Sequence, residues 1–330
     1  MRVRLRVSVA NNRSTIQSAL VTGGAGFIGS HLVESLVLSG CQVTVLDNLS
    51  TGYLENLAAC REKITFIEGD IRDVDALAQA ARGCEVVFHL AAEIFVPLTI
   101  ENPVESAEIN TICTLNVLEA ARHNGVRRVV LSSSCAVYGN PVQLPVAEAT
   151  PALPMSPYAI QKLTGDYYAS VYTELYNLES VSLRYFNVYG PRQIASSLYS
   201  GVISIFLEKA LGGQTPIIHG DGEQSRDFVF VADVVNANLL AARQPGIAGS
   251  VFNIGSGCQT SIHHLWKKIS HIADVDLTPT YEPARKGDIR ATVADTSLAE
   301  ERLGFKATTS LSEGLAETYE WYKKILEGVR

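Results

Sequence analysis

Through the first half of the chain, short apolar runs alternate with longer stretches in which apolar residues return every three or four positions. The runs at 19–22, 42–46, 65–68, 86–90, 128–132 and 180–184 read as strands. Their near-continuous apolar character is that of strands covered on both faces. The stretches at 27–39, 74–81, 104–124 and 157–175 have the helical period; in the first, Ile28, Leu32 and Leu36 share a face at i, i+4 spacing. Strand–helix alternation of this kind predicts an α/β chain built on a parallel sheet with helices on both faces. The alternation weakens near Asn187. From there to Arg330 Gly and Pro are more frequent, and helical patterns stand at 200–211, 231–242, 262–273, 298–303 and 312–327. At 330 residues the chain exceeds the roughly 250-residue limit of a single core. The predicted division is an N-terminal extension at 1–17, a sheet domain at 18–186 and a smaller mixed α/β domain over 187–330, with segments around 228–255 returning to the sheet.

Composition narrows the function classes. Hydrophobic residues make up 47% of the chain, which excludes disorder as its main state. No apolar run reaches the roughly 18–20 residues of a membrane helix, so no span is predicted. A formal net charge of −7 argues against a general nucleic-acid binder, whose footprint is basic. An anionic ligand then needs a few placed arginines. The cysteines at 41, 60, 84, 113, 135 and 258 form no C-x-x-C pair, so neither a zinc site nor a redox dithiol is indicated, and no metal is expected. Scattered thiols of this kind point to a reducing, cytoplasmic setting. Residues 1–17 carry Arg2, Arg4, Arg6 and Arg13 but no hydrophobic h-region, unlike a secretory signal.

Where the first strand gives way to the first helix, the chain reads Thr22-Gly23-Gly24-Ala25-Gly26-Phe27-Ile28-Gly29. Glycines at 23, 26 and 29 suit a tight turn, close approach of backbone to a diphosphate, and close helix–strand contact. The helix start offers its positive end to the phosphates. An acid, Asp47, ends the second strand, at the distance expected for a carboxylate that takes the adenosine ribose hydroxyls. It would repel a 2′-phosphate, so NAD is favoured over NADP, and the sheet is expected to be a doubly wound one of Rossmann type.

A second cluster lies at Ser156-Pro157-Tyr158-Ala159-Ile160-Gln161-Lys162. Ser156 and Pro157 read as a helix start. Tyr158 and Lys162 are then i, i+4 neighbours on one face. A phenol with its ordinary pKa of about 10 is a poor base. A nearby ammonium, an oxidised nicotinamide and a helix N-terminus would each favour phenolate, making Tyr158 a general acid/base. Tyr319 and Lys323 share the spacing. They lie in the C-terminal amphipathic pattern, away from any strand end, and read as a packed ring and a solvated amine. Tyr158 instead follows the strand ending in Ser132-Ser133-Ser134, and the carboxyl ends of parallel strands are where an open sheet binds ligands.

Together these residues resemble the extended short-chain dehydrogenase/reductase family, specifically its NAD-dependent nucleotide-sugar epimerases of the UDP-glucose 4-epimerase type. The resemblance runs from about Ala19 to Trp321. It is carried by TGGAGFIGSH at 22–31, DNLSTG at 47–52, GDIRD at 69–73, HLAA at 89–92, SSSCAVYG at 132–139, SPYAIQK at 156–162, RYFNVYGPRQ at 184–193, GDGEQSRDFVFVADVV at 220–235 and RKGDIRATVADTSLA at 285–299. It implies that Asn48, Ser50, Thr51 and Gly52 continue the NAD site from Asp47. Asp70 and Ile71 would border the adenine, and Leu90, Ala91 and Ala92 the cofactor channel. Asn110 and Lys162 would lie toward the nicotinamide ribose, and Ser132 and Tyr185 would also contact the cofactor. Ser134 would partner Tyr158 in catalysis. For the UDP-sugar, the resemblance implies Asn187, Arg226 and Arg285 at the diphosphate, with Arg192 and Asp288 nearby. His219 would border the uracil, and Phe95, Thr99 and Thr292 the sugar.

The implied reaction is 4-epimerisation through a transient 4-keto sugar, with Tyr158 exchanging the proton of the 4-hydroxyl. Dehydratases and decarboxylases share that keto sugar but place an acid beside the catalytic hydroxyl, where this chain has Ser134-Cys135-Ala136. A silent NAD-binding protein is a further alternative, opposed by the presence of Ser134, Tyr158 and Lys162. Phe95 stands where hexosamine epimerases carry a small residue and Glu93 is also unusual, so hexose, N-acetylhexosamine and hexuronate substrates stay open. Relatives pair two helices per subunit, here 104–124 and 157–175, so a homodimer is expected.

Overall fold

The structure is a computed structural model and describes residues 15–193, 201–284 and 289–328. Its first half alternates β1 (Ser18–Thr22), α1 (Phe27–Leu38), β2 (Gln42–Asp47), β3 (Ile64–Glu68), α2 (Val74–Ala81) and β4 (Val86–His89). Then follow α3 (Val96–Glu101), α4 (Pro103–Ala107), α5 (Cys113–His123), β5 (Arg128–Ser134), α6 (Pro157–Tyr176) and β6 (Glu179–Tyr185). After β6 come β7 (Asn187–Tyr189), α7 (Val202–Leu211), β8 (Ile217–His219), β9 (Ser225–Phe230) and α8 (Val231–Arg243). The chain ends with β10 (Val251–Ile254), β11 (Gln259–Ser261), α9 (Ile262–Ala273), β12 (Thr280–Glu282) and α10 (Leu311–Leu326).

Seven strands form one sheet in the order β10-β6-β5-β4-β1-β2-β3. Every neighbouring pair in it is parallel. This is the doubly wound Rossmann order with one strand added at the β6 edge. Successive residues of β1 point to opposite faces: Ala19 and Val21 enter one core cluster with Leu32 and Leu36 of α1, and Leu20 enters the other with Leu77, Val117 and Ala169. Leu20, Leu32 and Leu36 are fully buried, each side chain stabilising the fold by about 1.5–3 kcal/mol.

The chain leaves the sheet after β6 and comes back to it at β10, which pairs with β6. The α8 helix, on the way back, packs against α1. A three-stranded sheet β11-β9-β7 and the pair β12-β8 stand beside the large sheet. They share a third core with α7, α9 and α10, centred on Phe206, Phe230, Trp266 and Leu315. Two predicted elements differ: the helix expected over 298–303 is a wide i→i+5 turn at Ala299–Leu303, and the stretch at 104–124 is interrupted. The single helix expected over 104–124 is α4, then a wide i→i+5 turn over Glu108–Ile112, then α5. The extra residue in that turn swings Asn110 inward, where it is buried.

Candidate active site

The carboxyl ends of β1, β2, β4 and β5 open into a cavity of about 340 Å³, the place where an open parallel sheet holds ligands. Its floor is the turn after β1. Gly23 takes φ +70°, and a Cβ there would stand 2.7 Å from the Ala91 nitrogen. A Cβ on Gly29 would run into the Gly23 carbonyl oxygen. Gly26 is the N-cap of α1, with no side-chain cap and no acid in the first turn. Phe27, Ile28 and Gly29 therefore present a bare helix start to the cavity.

Asp47 closes the next strand. One of its oxygens accepts the Ala25 N–H at 2.8 Å and the other the Leu49 N–H at 2.8 Å. Each oxygen keeps a lone pair for a further donor, and burial pushes the carboxyl above its ordinary range. Asn48, Ser50 and Thr51 continue the lining, followed by Asp70 and Ile71. Arg72 grips Asp70 at 2.7 and 2.9 Å and holds its carboxyl down at about 2. Leu90, Ala91, Ala92 and Tyr185 complete an apolar wall. Bare amides, a carboxylate with spare lone pairs and apolar walls fit a dinucleotide. Gly52 and Asn110 stand behind this lining: a Cβ on Gly52 would lie 2.9 Å from the Ala25 carbonyl carbon, and Asn110 grips the backbone of Glu93.

On α6, the Ser156 hydroxyl accepts the Ala159 N–H at 3.2 Å and Pro157 takes the first helical position. The predicted helix start therefore sends Tyr158 and Lys162 into the cavity, opposite Ser132 and Ser134. Lys162 does not depress the phenol as expected. Its Nζ donates to the Ser132 carbonyl at 3.0 Å and lies 5.8 Å from the centre of the Tyr158 ring. Burial pushes Tyr158 up to about 12, with the Ser134 hydroxyl acting in the opposite sense. Burial likewise brings Lys162 down to about 8, opposed by Asp166. Behind the wall, His89 is buried between the hydroxyls of Thr22 at 2.8 Å and Thr114 at 3.1 Å.

On the sugar side the expected residues are more dispersed. Val188 and Gln193 line the cavity, whereas Asn187, the first residue of β7, is not among its lining residues. Phe95 is the N-cap of α3, and Thr99 is fully buried with its hydroxyl on the Val96 carbonyl at 2.7 Å. The Arg226 guanidinium donates to the carbonyls of Ser225 and Ile289 at 2.8 and 2.7 Å. Thr292 is buried with its N–H on the Ser225 carbonyl at 3.2 Å. His219 stands 3.7 Å from Glu282. Arg192 lines a different cavity, of about 360 Å³, where it pairs with Glu34 at 2.6 Å. Arg285 and Asp288 lie outside the described residues. Sequence reasoning did not find Ile94, Ile109, Ser133 or Phe186, which also line the main cavity. Ser133 and Phe186 lie inside the quoted motifs at 132–139 and 184–193 without an assigned role, whereas Ile94 and Ile109 belong to no motif and only the fold brings them there. Among the described residues no group of three or more His, Cys, Asp or Glu is placed to hold a metal.

The family model described as "NAD dependent epimerase/dehydratase family" matches residues 19–255. The chain belongs to this family. It is 43% identical over 306 residues to a putative UDP-glucose 4-epimerase of Methanocaldococcus jannaschii, covering 92% of this chain and 98% of that one. The Thermotoga maritima UDP-glucose 4-epimerase, solved with UDP-glucose, is similar at a TM-score of 0.89 and 41% identity, over 94% of this chain and 100% of that one. The UDP-N-acetylglucosamine 4-epimerase of Methanobrevibacter ruminantium, solved with UDP-N-acetylmuramic acid, is similar at 0.91 and 38%, over the same 94% and 100%. For a member of this epimerase/dehydratase family, the cavity described above is the candidate active site. No helix among the described residues is long and apolar enough to cross a membrane.

Proposed function

We propose that this protein is an NAD-dependent UDP-sugar 4-epimerase, interconverting UDP-glucose and UDP-galactose or the corresponding N-acetylhexosamine pair. The observation that carries the reading is the meeting of Tyr158, Lys162 and Ser134 with the bare start of α1 in one cavity. Gly23, Gly26 and the first-turn amides of α1 hold the cofactor diphosphate, and Asp47 takes the adenosine ribose hydroxyls. Lys162 lies toward the nicotinamide ribose. Bound NAD supplies a positively charged hydride acceptor, which lets carbon 4 pass through a ketone and return. Tyr158 accepts the proton of the 4-hydroxyl and later gives it back, while Ser134 holds the same oxygen. Burial, which raises the phenol to about 12, keeps Tyr158 protonated, and positive charge brought beside it lowers that pKa toward a value at which the oxygen can both take and give the proton.

Arg226 and Arg285 fork the sugar-nucleotide diphosphate, with Asn187 beside them. His219 borders the base, and Phe95 and Thr292 shape the sugar pocket. Similarity to both a UDP-glucose and a UDP-N-acetylglucosamine epimerase supports keeping both sugar pairs in the reading. The enzyme works in the cytoplasm as a two-fold dimer. Ile100 on α3, Val104 on α4 and Ile112 in the wide turn, with Ile160, Tyr167 and Leu175 on α6, are exposed apolar residues that a second copy would cover. Incubating the purified protein with a panel of UDP-sugars and reading the products by NMR tests the activity. A 4-epimer supports it; a dehydrated or decarboxylated sugar moves the enzyme to the alternative branch of the family.

A further inference from the structure

Ala91 to Ile94 are four consecutive residues of the cavity wall. The middle of this segment is held from behind. The Asn110 Oδ1 accepts the Glu93 N–H at 2.8 Å, and its Nδ2 donates to the Glu93 carbonyl at 2.9 Å. Glu93 then accepts the Phe95 N–H at 2.8 Å through its carboxylate. The second Nδ2 hydrogen of Asn110 goes to the Gln161 Oε1 at 2.7 Å, and the Gln161 Nε2 donates to the Ser106 hydroxyl at 2.9 Å. Ser106, Asn110 and Gln161 are 2%, 3% and 5% exposed. Gln161 sits on α6 between Tyr158 and Lys162 yet turns to the flank that meets α4 and the wide turn at Glu108–Ile112.

We propose that Gln161 is a positioning residue that fixes the Glu93–Phe95 end of this wall, on the side expected to meet the sugar, relative to Tyr158 and thereby sets which UDP-sugar the site accepts. This rests on the UDP-sugar epimerase reading above. Removing the Gln161 amide leaves an Asn110 N–H buried without an acceptor, a costly state in a low-dielectric interior. The nearest relief is for Asn110 to turn and release Glu93. The wall then shifts, while Tyr158, Ser134 and Lys162 stay where β5 and α6 put them.

The test compares Gln161→Met, close in volume, with Gln161→Glu, which keeps an acceptor for Asn110, and Ser106→Ala, which cuts only the outer bond. With UDP-glucose, Gln161→Met is expected to raise KM about tenfold with kcat within about threefold of the parent, the scale of one unsatisfied buried donor. Its preference between UDP-glucose and UDP-N-acetylglucosamine shifts by a similar factor. Gln161→Glu restores KM to within about threefold, and Ser106→Ala moves neither quantity more than about twofold. Hydrogen exchange at the Glu93 and Phe95 amides, a readout that needs no substrate, should be about tenfold faster in Gln161→Met alone. Equal effects of Gln161→Met and Ser106→Ala, a loss of kcat at unchanged KM, or unchanged exchange would overturn the proposal. A parent enzyme that epimerises no UDP-sugar overturns the functional reading instead, and the exchange data still judge the clamp.

Discussion

Tyr158–Lys162 on α6 and Tyr319–Lys323 on α10 share one spacing and lie on two long helices of the same chain. Their surroundings differ. The α6 pair faces the β5 serines at the mouth of the parallel sheet, where burial moves the phenol up and the amine down. The α10 pair stands on the core shared with α7 and α9: the Tyr319 ring packs against that cluster and Lys323 is exposed. α10 is built for packing. A capping box from Ser310 and Glu313 starts it, and Gly314 lets the Tyr189 hydroxyl and the Phe230 ring come against its backbone. A Tyr-x-x-x-Lys pattern is therefore chemical only when a strand end supplies the groups opposite.

The sharpest way to break this contrast is Tyr158→Phe. It removes the group proposed to exchange the 4-hydroxyl proton, so kcat should fall by about 10²–10⁴-fold. The bound dinucleotide, read from the absorbance of the denatured protein, should be retained. Retention of most of the activity would take Tyr158 out of the chemistry and level the two pairs.

Lys162 gives a smaller and signed effect. Its pKa lies at about 8 in the folded chain against 10.5 ordinarily. Between those values the unfolded chain binds a proton that the folded chain has released, so stability rises with pH across that window. The rise from this one group, between about pH 7.5 and 9.5, is about 2 kcal/mol. Urea unfolding of the parent and of Lys162→Met at both pH values should show the variant lacking that gain. Tyr158, raised to about 12, acts in the opposite sense only above its ordinary 10. Lys323→Met on α10 should leave the parent slope intact.

The same contrast explains what the sequence could be made to say. The glycine turn, Asp47 at a strand end and Ser156-Pro157 before Tyr158 are local signals, each set by neighbours within a few residues, and each lies where its pattern predicts. The Gln161–Asn110 and Gln161–Ser106 bonds join residues about fifty positions apart, and no short-range pattern announces them. The wide turn at Glu108–Ile112 stayed hidden because one extra residue barely disturbs a helical period. Strands β7, β8, β11 and β12 have three residues each, too few to display an alternation. Arg226 reads as a free phosphate fork in one dimension, yet in the fold two of its hydrogen bonds go to backbone carbonyls.

The smallest expected effect is also the control for the whole comparison. Tyr319 is part of a packed cluster, and its hydroxyl makes no hydrogen bond among the described residues. Tyr319→Phe keeps the ring and its packing and deletes only that oxygen. Stability should change by less than about 0.5 kcal/mol, the scale of a substitution that breaks no special feature. UDP-glucose turnover should be unchanged within error. If Tyr319→Phe instead lowered kcat as Tyr158→Phe does, the environment argument would fail, because spacing alone would then have been enough to make a tyrosine–lysine pair act.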